Sequence, residues 1–210
     1  DLPARSGLGS SSSFVVGLLQ SLQTLMGTSL EKKALAEEAI RIEQQVLQEN
    51  VGSQDQVAAA HGGLNLIEFK QDDTFKVNPI ELIPQRLTEL ESHLMLFFTG
   101  LSRIASKVAK SKILNLHQRS DQLHRIRNQV DEALRLLQST EDIRGFGEML
   151  HQTWLDKRAL SDQVSNETID AIYDDARKSG AIGGKLLGAG GGGFLLIFAE
   201  PRKHNFIRQS

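Results

Sequence analysis

A serine-rich turn near the start of the chain has the composition of a phosphate site. Its sequence, GLGSSSS, runs from Gly7 to Ser13, and a helical pattern of apolar residues follows it directly. A helix start presents unpaired backbone N–H groups and the positive end of the helix dipole. Glycine allows the backbone to approach an anion closely, and a serine hydroxyl can donate hydrogen bonds or ligate Mg²⁺. The stretch is therefore a candidate phosphate site, and ordinary capping of a helix by serine is the alternative.

Glu43 is a carboxylate on an apolar stripe. The helix predicted for residues 31–48 has a stripe through Ala36, Ala39 and Val46, and Glu43 falls on it. A charged group on a core-facing stripe needs a partner. That partner is either an ion pair or hydrogen bond to a nearby strand, or a cation such as Mg²⁺ held against phosphates. Both interpretations require a polar or charged group opposite Glu43.

Asp55 lies in a polar loop, GSQDQ, that leaves the helix of Glu43. One hypothesis is that its carboxylate accepts the proton of a substrate hydroxyl, as a general base does. The other is that Asp55 caps a short helix over residues 56–60, which is a common task for aspartate. The first hypothesis places Asp55 in a loop that leaves the helix of Glu43, and the second places it at the start of the next helix.

A second glycine-rich stretch, GGKLLGAGGGG, leads into the apolar run FLLIF. Flexible linkers are flanked by polar residues, whereas apolar residues flank this run on both sides. The pattern therefore predicts a turn inside a core, followed by a buried strand. Glycines in such a turn indicate positive φ angles or a close backbone approach. A second loop close to phosphate and a tight packing contact between domains are both compatible with it.

Helices and strands alternate along the rest of the chain. Apolar spacing predicts helices over residues 11–26, 31–48, 101–112, 118–138 and 141–158, and a further one from the cap Ser165 to Gly180. Short strands are predicted at LNLIEF, TFKVN, HLMLFFTG, which ends at Gly100, and FLLIF. Two prolines, Pro79 and Pro84, indicate a seam near residues 79–92. The pattern is that of a mixed α and β protein.

The composition indicates which binding partners and which cellular compartment to expect. The net charge of −2 gives no electrostatic reason to expect nucleic acid or an anionic membrane as a partner. With no cysteine, there is no disulfide framework and no thiolate metal site. No apolar run reaches the roughly 18 residues of a membrane helix, and no signal peptide is visible, so we expect a cytoplasmic protein. The start at Asp1 and the end at Ser210, just after a strand-like run, predict a piece of a longer protein.

Together these features resemble the GHMP kinase family, which includes galactokinases, homoserine kinases and mevalonate kinases. The family's second motif, a proline followed by GLGSSS, is matched by Pro3 and residues 7–12, and its third by the stretch KLLGAGGGGF. Glu43 and Asp55 have the spacing of the galactokinase-like Mg²⁺ ligand and catalytic aspartate. The resemblance spans essentially the whole chain, and the four features occur in the family's order.

The resemblance implies an α+β fold with the two-domain GHMP kinase architecture. Residues 1–85 would be part of an N-terminal ATP-binding α/β domain of the ribosomal-protein-like type. Residues 86–210 would be part of a C-terminal ferredoxin-like α+β domain. The family's first motif and its last strand have no counterpart here, so we expect truncation at both ends and poor catalysis by this piece alone.

The resemblance also implies ATP and Mg²⁺ as cofactors and a role for each matching residue. The residues implied are Gly7, Leu8, Gly9, Ser10, Ser11, Ser12, Gly190 and Gly191 for the ATP phosphates, Ser11 and Glu43 for Mg²⁺, Asp55 for catalysis, and Asp55, Gly63, Thr99 and Arg103 for the acceptor. Ser10 and Ser12 would add donors and caps at the phosphate end of the helix, and Ser13 would face elsewhere. Arg103 is the candidate for binding a phosphate on the acceptor, and the loop over residues 188–193 would close over the site.

Within the family, VGSQDQVAAAHGGLNLIEF and LMLFFTGLSRIASKVAKSK are most similar to bacterial heptose-phosphate kinases. This implies transfer of the γ-phosphoryl of ATP to the anomeric hydroxyl of D-glycero-D-manno-heptose 7-phosphate, in nucleotide-activated heptose biosynthesis. An L-fucokinase or galactokinase-like enzyme and a non-catalytic sensor that binds ATP and sugar are alternatives. A helical interaction protein, based on the stripes at 118–138 and 141–158, is a third. The expected partners are ATP and a sugar or sugar phosphate, and a homo-oligomer is left open.

Overall fold

The computed structural model describes residues 7–101 and 119–210. The chain divides into two units. The first contains Gly9–Glu81, and the second contains Leu82–Ser210 together with Gly7 and Leu8. The helix predicted over residues 101–112 lies almost wholly outside the described residues, and Arg103 lies outside them. The domain boundary after residue 85 stays a prediction.

Unit 1 consists of helices that pack on a two-stranded hairpin. Its elements are α1 (Ser10–Leu25), α2 (Lys32–Arg41), a π-helical segment (Ile42–Val46), α3 (Gln54–His61), β1 (Asn65–Phe69) and β2 (Phe75–Pro79). The strands pair antiparallel, with Asn65 opposite Pro79 and Phe69 opposite Phe75. Two small apolar clusters join these elements, one around Val16, Leu35 and Ala39 and one around Ala36, Val57 and Phe75.

The helix predicted over residues 31–48 changes its geometry part-way. It is α-helical to Arg41 and π-helical from Ile42 to Val46, and Gln48 then has a φ of 53°. A π-helical turn holds more residues than an α-helical one, and such turns are frequent at functional sites. Glu43 lies inside this segment and is 2% exposed.

Unit 2 consists of a three-stranded antiparallel sheet and the helices that surround its core. Its elements are α4 (Pro84–His93), β3 (Leu94–Phe98), α5 (Ser120–Gln138), α6 (Arg144–Arg158), α7 (Glu167–Lys178), β4 (Gly183–Leu186), β5 (Phe194–Phe198), a 3₁₀ turn (Pro201–Lys203) and α8 (His204–Gln209). The strand order is β3-β5-β4. Trp154, Ile169, Tyr173, Leu195 and Ile197 are among the most buried side chains of its core.

Three features of unit 2 were not predicted correctly from the sequence. Helix α4 (Pro84–His93) was not predicted, and Pro84 occupies its first turn, where its missing N–H and fixed φ are tolerated. The cap of α7 is Asn166 and not Ser165, since the Asn166 side chain accepts a hydrogen bond from the Ile169 N–H at 3.0 Å. After the FLLIF strand the chain continues into α8, which the apolar pattern did not indicate.

Helix α6 approaches strand β4 closely at two glycines. A Cβ on Gly183 would lie 1.8 Å from the Gly147 carbonyl oxygen, and one on Gly147 would lie 2.5 Å from the ring of Phe198. The helix can rest directly on the backbone of the strand only because both positions lack a side chain. Among the described residues, no helix combines the length and the apolar character that crossing a bilayer requires.

Candidate functional site

The Glu43 carboxylate is the centre of a buried polar cluster in unit 1. The Ser11 hydroxyl donates to Oε1 at 2.9 Å, and the Ser12 hydroxyl donates to Oε2 at 2.9 Å. The Gln56 amide nitrogen also donates to Oε2. The expectation that a polar group lies opposite Glu43 is therefore confirmed. The partners lie on helices α1 and α3 and not on a nearby strand, and none of these three is a cation.

The serines reach Glu43 because of how α1 begins. Gly9 precedes the helix with a φ of 66°, a left-handed conformation that favours glycine. Consecutive residues of an α-helix project about 100° apart, so that Ser12 is buried while Ser11 and Ser13 are exposed. Helix α1 begins at Ser10 after Gly9 and has no side-chain cap, so the prediction that Ser10 and Ser12 act as caps is wrong. The Ser12 hydroxyl is bonded to Glu43 instead.

Asp55 lies in the first turn of α3, beside the start of α1. Helix α3 begins at Gln54 with Ser53 in the capping position, so the alternative that Asp55 caps a helix from residue 56 is wrong. A Cβ built on Gly9 would lie 3.4 Å from Asp55 Cγ and 3.5 Å from Oδ2. The Asp55 carboxylate therefore lies against the glycine turn from which the serines extend.

Gln56 is the member of the cluster that was not predicted from the sequence. It is fully buried, and its side-chain carbonyl, Oε1, is a buried acceptor without a hydrogen-bond partner among the described residues. One signal was available, because Gln56 precedes Ala60 by one helical turn and Ala60 packs into the apolar clusters. A glutamine on the inward face of a short helix indicates a polar partner inside.

The oxygen pair of Ser11 and Glu43 fits Mg²⁺ as a partner. Mg²⁺ is a hard cation that is usually bound by one or two carboxylates together with substrate phosphates and water. The described residues contain no group of three or more histidine or acidic side chains that could hold a metal ion together. These residues therefore do not support a metal held by protein groups alone. They do fit a metal that the Ser11 hydroxyl and the Glu43 carboxylate share with substrate phosphates.

In unit 2, Gly7 packs against the glycine-rich loop (Leu187–Gly193). A Cβ on Gly7 would lie 2.9 Å from the Leu187 carbonyl oxygen, and a Cβ on Gly188 would lie 2.7 Å from Gly7 Cα. Both glycines have positive φ angles, 78° and 67°. The structure therefore brings the start of the first glycine motif into backbone contact with the second, and a side chain at either position would separate them.

The far end of the glycine-rich loop is buried in unit 2. The Gly191 N–H donates to the Val164 carbonyl at 2.8 Å, and a Cβ on Gly190 would lie 2.7 Å from the same oxygen. The backbone N–H and the hydroxyl of Thr99 both donate to the Gly193 carbonyl, at 2.9 and 2.8 Å. These contacts all lie within unit 2, so the interpretation as a packing contact between domains and the interpretation as a loop close to phosphate both stay predictions. The N–H of Gly191 is already used by the Val164 carbonyl.

Two lysines flank the same loop. Lys157 of α6 donates to the carbonyls of Leu186 and Gly188 at 2.8 and 2.7 Å, which ties the start of the loop to the helix. Lys185 lies on β4 one residue before the strand ends, and burial lowers the pKa of its ammonium group. The loop is thus held by a helix side chain as well as by backbone contacts.

The remaining predicted residues lie elsewhere or are not described. Gly63 lies in an exposed turn before β1 with a φ of 73°, and a Cβ at this position would meet no other group within 4 Å. Leu8 is half-buried beside Gly7. Arg103, predicted to bind an acceptor phosphate, lies outside the described residues. The structure thus brings Ser11, Glu43 and Gln56 together, and the roles of Gly63, Thr99 and Arg103 stay predictions.

Family models match both parts of the chain. The GHMP kinases N terminal domain matches residues 1–63, and the GHMP kinases C terminal domain matches residues 132–209. Together they cover more than half of the sequence. The chain belongs to the GHMP kinase family. Members of this family are phosphotransferases, and the α+β fold expected from the sequence is confirmed.

Among the similar GHMP kinases is the D-glycero-alpha-D-manno-heptose 7-phosphate kinase of Campylobacter jejuni. It is 33% identical over 99% of this chain and 62% of its own length. The bifunctional fucokinase/GDP-fucose pyrophosphorylase of Arabidopsis thaliana is 27% identical over 100% of this chain and 20% of its own. The crystal structure of a D-glycero-D-manno-heptose 1-phosphate kinase from Bacteroides thetaiotaomicron matches with a TM-score of 0.69 and 30% identity, over 100% of this chain and 58% of its own. The chain therefore spans about three fifths of the heptose kinases that it matches.

Proposed function

We propose that the protein is an ATP- and Mg²⁺-dependent sugar kinase that phosphorylates the anomeric hydroxyl of D-glycero-D-manno-heptose 7-phosphate. The observation that carries the proposal is the hydroxyl–carboxylate pair of Ser11 and Glu43, 2.9 Å apart, in the unit where Asp55 lies against Gly9. These residues match the family's metal ligands and catalytic aspartate. The similarity to two heptose kinases, one of them a solved structure, supports the choice of acceptor.

Phosphoryl transfer is governed by positioning and electrostatics, because charge spreads over the phosphoryl oxygens in a loose transition state. Backbone N–H groups at the start of α1 would supply part of this stabilisation, as helix N-termini do for phosphates. Bound Mg²⁺ would neutralise phosphate charge, and Ser11 and Glu43 are the residues that would hold it. The glycines of the turn would let the backbone approach the phosphates.

Asp55 would act on the acceptor. Its carboxylate would orient the anomeric hydroxyl and receive its proton while the hydroxyl oxygen bonds to the γ-phosphorus. The bond from that phosphorus to the bridging oxygen breaks, and ADP leaves with the electron pair. A positioned general base typically contributes about 10²–10⁴-fold to the rate.

An L-fucokinase is the second candidate, and the match to the plant fucokinase over the whole chain favours it. Fucose lacks the 7-phosphate, so the two candidates differ in whether the acceptor pocket must bind an anion. A non-catalytic sensor is disfavoured because Ser11, Glu43 and Asp55 are all present in one unit.

The test is an ADP-release assay on the protein at its full natural length, with ATP and Mg²⁺ against heptose 7-phosphate, L-fucose and galactose. We expect turnover with heptose 7-phosphate, and a drop in kcat of at least about tenfold for Asp55→Asn with little change in ATP affinity. Asp73→Asn is the matched control, because Asp73 is exposed in the hairpin turn at a φ of 60° that asparagine also tolerates. An unchanged kcat in Asp55→Asn would remove Asp55 from the chemistry, and ATP and sugar binding without ADP release would indicate a sensor.

A further inference from the structure

We infer that the two carboxylate oxygens of Glu43 have separate tasks. Oε1, which Ser11 contacts, faces the metal, whereas Oε2, which Ser12 and Gln56 contact, anchors the side chain. Ser12 and Gln56 are then positioning residues that set the direction of Oε1 without touching the metal themselves. This inference rests on the proposed function, because it requires that Glu43 ligates a divalent cation.

The difference in exposure between the two serines supports this division. Ser11 is exposed and donates to Oε1, whereas Ser12 is 5% exposed and donates to Oε2. Oε1 thus lies beside the exposed serine, whereas Oε2 lies between two buried donors, Ser12 and Gln56. A metal with phosphate and water ligands would approach from the side of Ser11.

Gln56 fixes the inner oxygen in one orientation. Its amide nitrogen donates to Oε2, and a flipped amide would place its carbonyl oxygen against the carboxylate, where no hydrogen bond can form. This orientation leaves Gln56 Oε1 buried without a partner among the described residues. A buried acceptor without a partner lowers stability, so a glutamine at this position is better explained by its hydrogen bond to Glu43 than by its own contribution to the fold.

The anchor also connects the two acidic groups of the proposed site. Gln56 directly follows Asp55, so the first turn of α3 carries the proposed base and the anchor of the proposed metal ligand together. Glu43 itself lies in a π-helical segment, whose backbone alone does not select one carboxylate rotamer. Two donors to Oε2, from α1 and from α3, define that rotamer.

The test measures metal binding directly, with Mn²⁺ as the probe. The full-length protein is titrated with Mn²⁺ in the presence of saturating ADP, and free Mn²⁺ is followed by its electron paramagnetic resonance signal. We expect Ser12→Ala and Gln56→Leu each to raise the Mn²⁺ dissociation constant about tenfold or more, which is typical for loss of an outer partner of a metal ligand. ADP affinity without metal should stay within twofold of the wild type, because the Ser12 hydroxyl and the Gln56 amide are bonded to Glu43, and Ser12→Ala keeps the backbone N–H through which Ser12 would contact a phosphate.

Ser13→Ala is the matched control, since Ser13 is an exposed serine of the same helix turn and makes no contact with Glu43. If Mn²⁺ affinity is within twofold of the wild type in both anchor variants, the inference is wrong. If only one of the two variants weakens Mn²⁺ binding, the other residue does not position Glu43, and the inference that both residues anchor Oε2 is wrong. If Gln56→Leu does not fold, Ser12→Ala decides alone, because it removes a single hydroxyl.

Two further variants separate this inference from the proposed function. Ser11→Ala and Glu43→Gln should weaken Mn²⁺ binding at least as much as the anchor variants do. If these two leave Mn²⁺ affinity unchanged, the metal assignment in the proposed function is wrong. If they weaken it while Ser12→Ala and Gln56→Leu do not, only the division of tasks between the two oxygens is overturned.

Discussion

Replacing Glu43 by glutamine or by leucine should have very different effects on stability. In Glu43→Gln, the new carbonyl can take the place of Oε2 and accept from both Ser12 and Gln56. The new amide group then faces Ser11, whose hydroxyl can rotate and accept from it. In Glu43→Leu, the Ser12 hydroxyl and the Gln56 amide lose their acceptor while they remain buried.

The magnitudes follow from these contacts. For Glu43→Leu, two buried donors lose their acceptor at about 1–3 kcal/mol each, so the free energy of unfolding should fall by about 2–6 kcal/mol. For Glu43→Gln, two hydrogen bonds to a charged acceptor become bonds to a neutral one, which costs about 1 kcal/mol each. Relief from burying a charge offsets part of that loss, so we expect about 1–2 kcal/mol.

The assay is a urea titration of the wild type and both variants, with the free energy of unfolding obtained by linear extrapolation. Glu37 provides the matched control, because it lies on α2 with its side chain exposed and in a weak pair with Lys33. The same two substitutions at Glu37 should change stability by no more than about 0.5 kcal/mol. The reasoning is refuted if Glu43→Gln is as destabilising as Glu43→Leu, because the glutamine would then not retain the two inner hydrogen bonds.

Three further predictions concern unit 2. Gly183→Ala should lower the free energy of unfolding by about 2 kcal/mol or more, because its Cβ would lie 1.8 Å from the Gly147 carbonyl oxygen; a urea midpoint equal to the wild type contradicts this. Lys157→Met should speed amide hydrogen exchange in the glycine-rich loop severalfold, because two backbone carbonyls there lose a donor; unchanged exchange rates would show that the lysine does not hold the loop. Burial lowers the pKa of His151, so the stability it contributes is present above about pH 6.5 and is lost as pH falls towards its folded-state pKa. Between pH 5 and 8, the urea midpoint of His151→Gln should change less with pH than that of the wild type. If both midpoints change equally with pH, His151 is not the group responsible.

Local sequence was enough to predict which residues turn inwards and where the backbone needs glycine. Helical spacing predicted that Glu43 lies on a buried stripe, and it is 2% exposed. The glycine motifs predicted positive φ angles or close backbone approach; Gly7 and Gly188 have both properties, and Gly9 has a positive φ. These features depend on local geometry, namely the period of a helix and the absence of a Cβ.

Which groups meet depends instead on how the helices pack. Ser11, Ser12 and Ser13 have the same chemistry, and the packing of α1 on α2 and α3 selects the two that reach Glu43. Gln56 joins them from a third helix. Its helical spacing indicates that it faces inwards but does not indicate that it meets Glu43. A repeat along the chain specifies the direction of a side chain relative to its own helix. Which group that side chain meets depends on helices that are distant in sequence. Burial of apolar residues fixes the positions of these helices, and the buried polar groups must find hydrogen-bond partners within that arrangement.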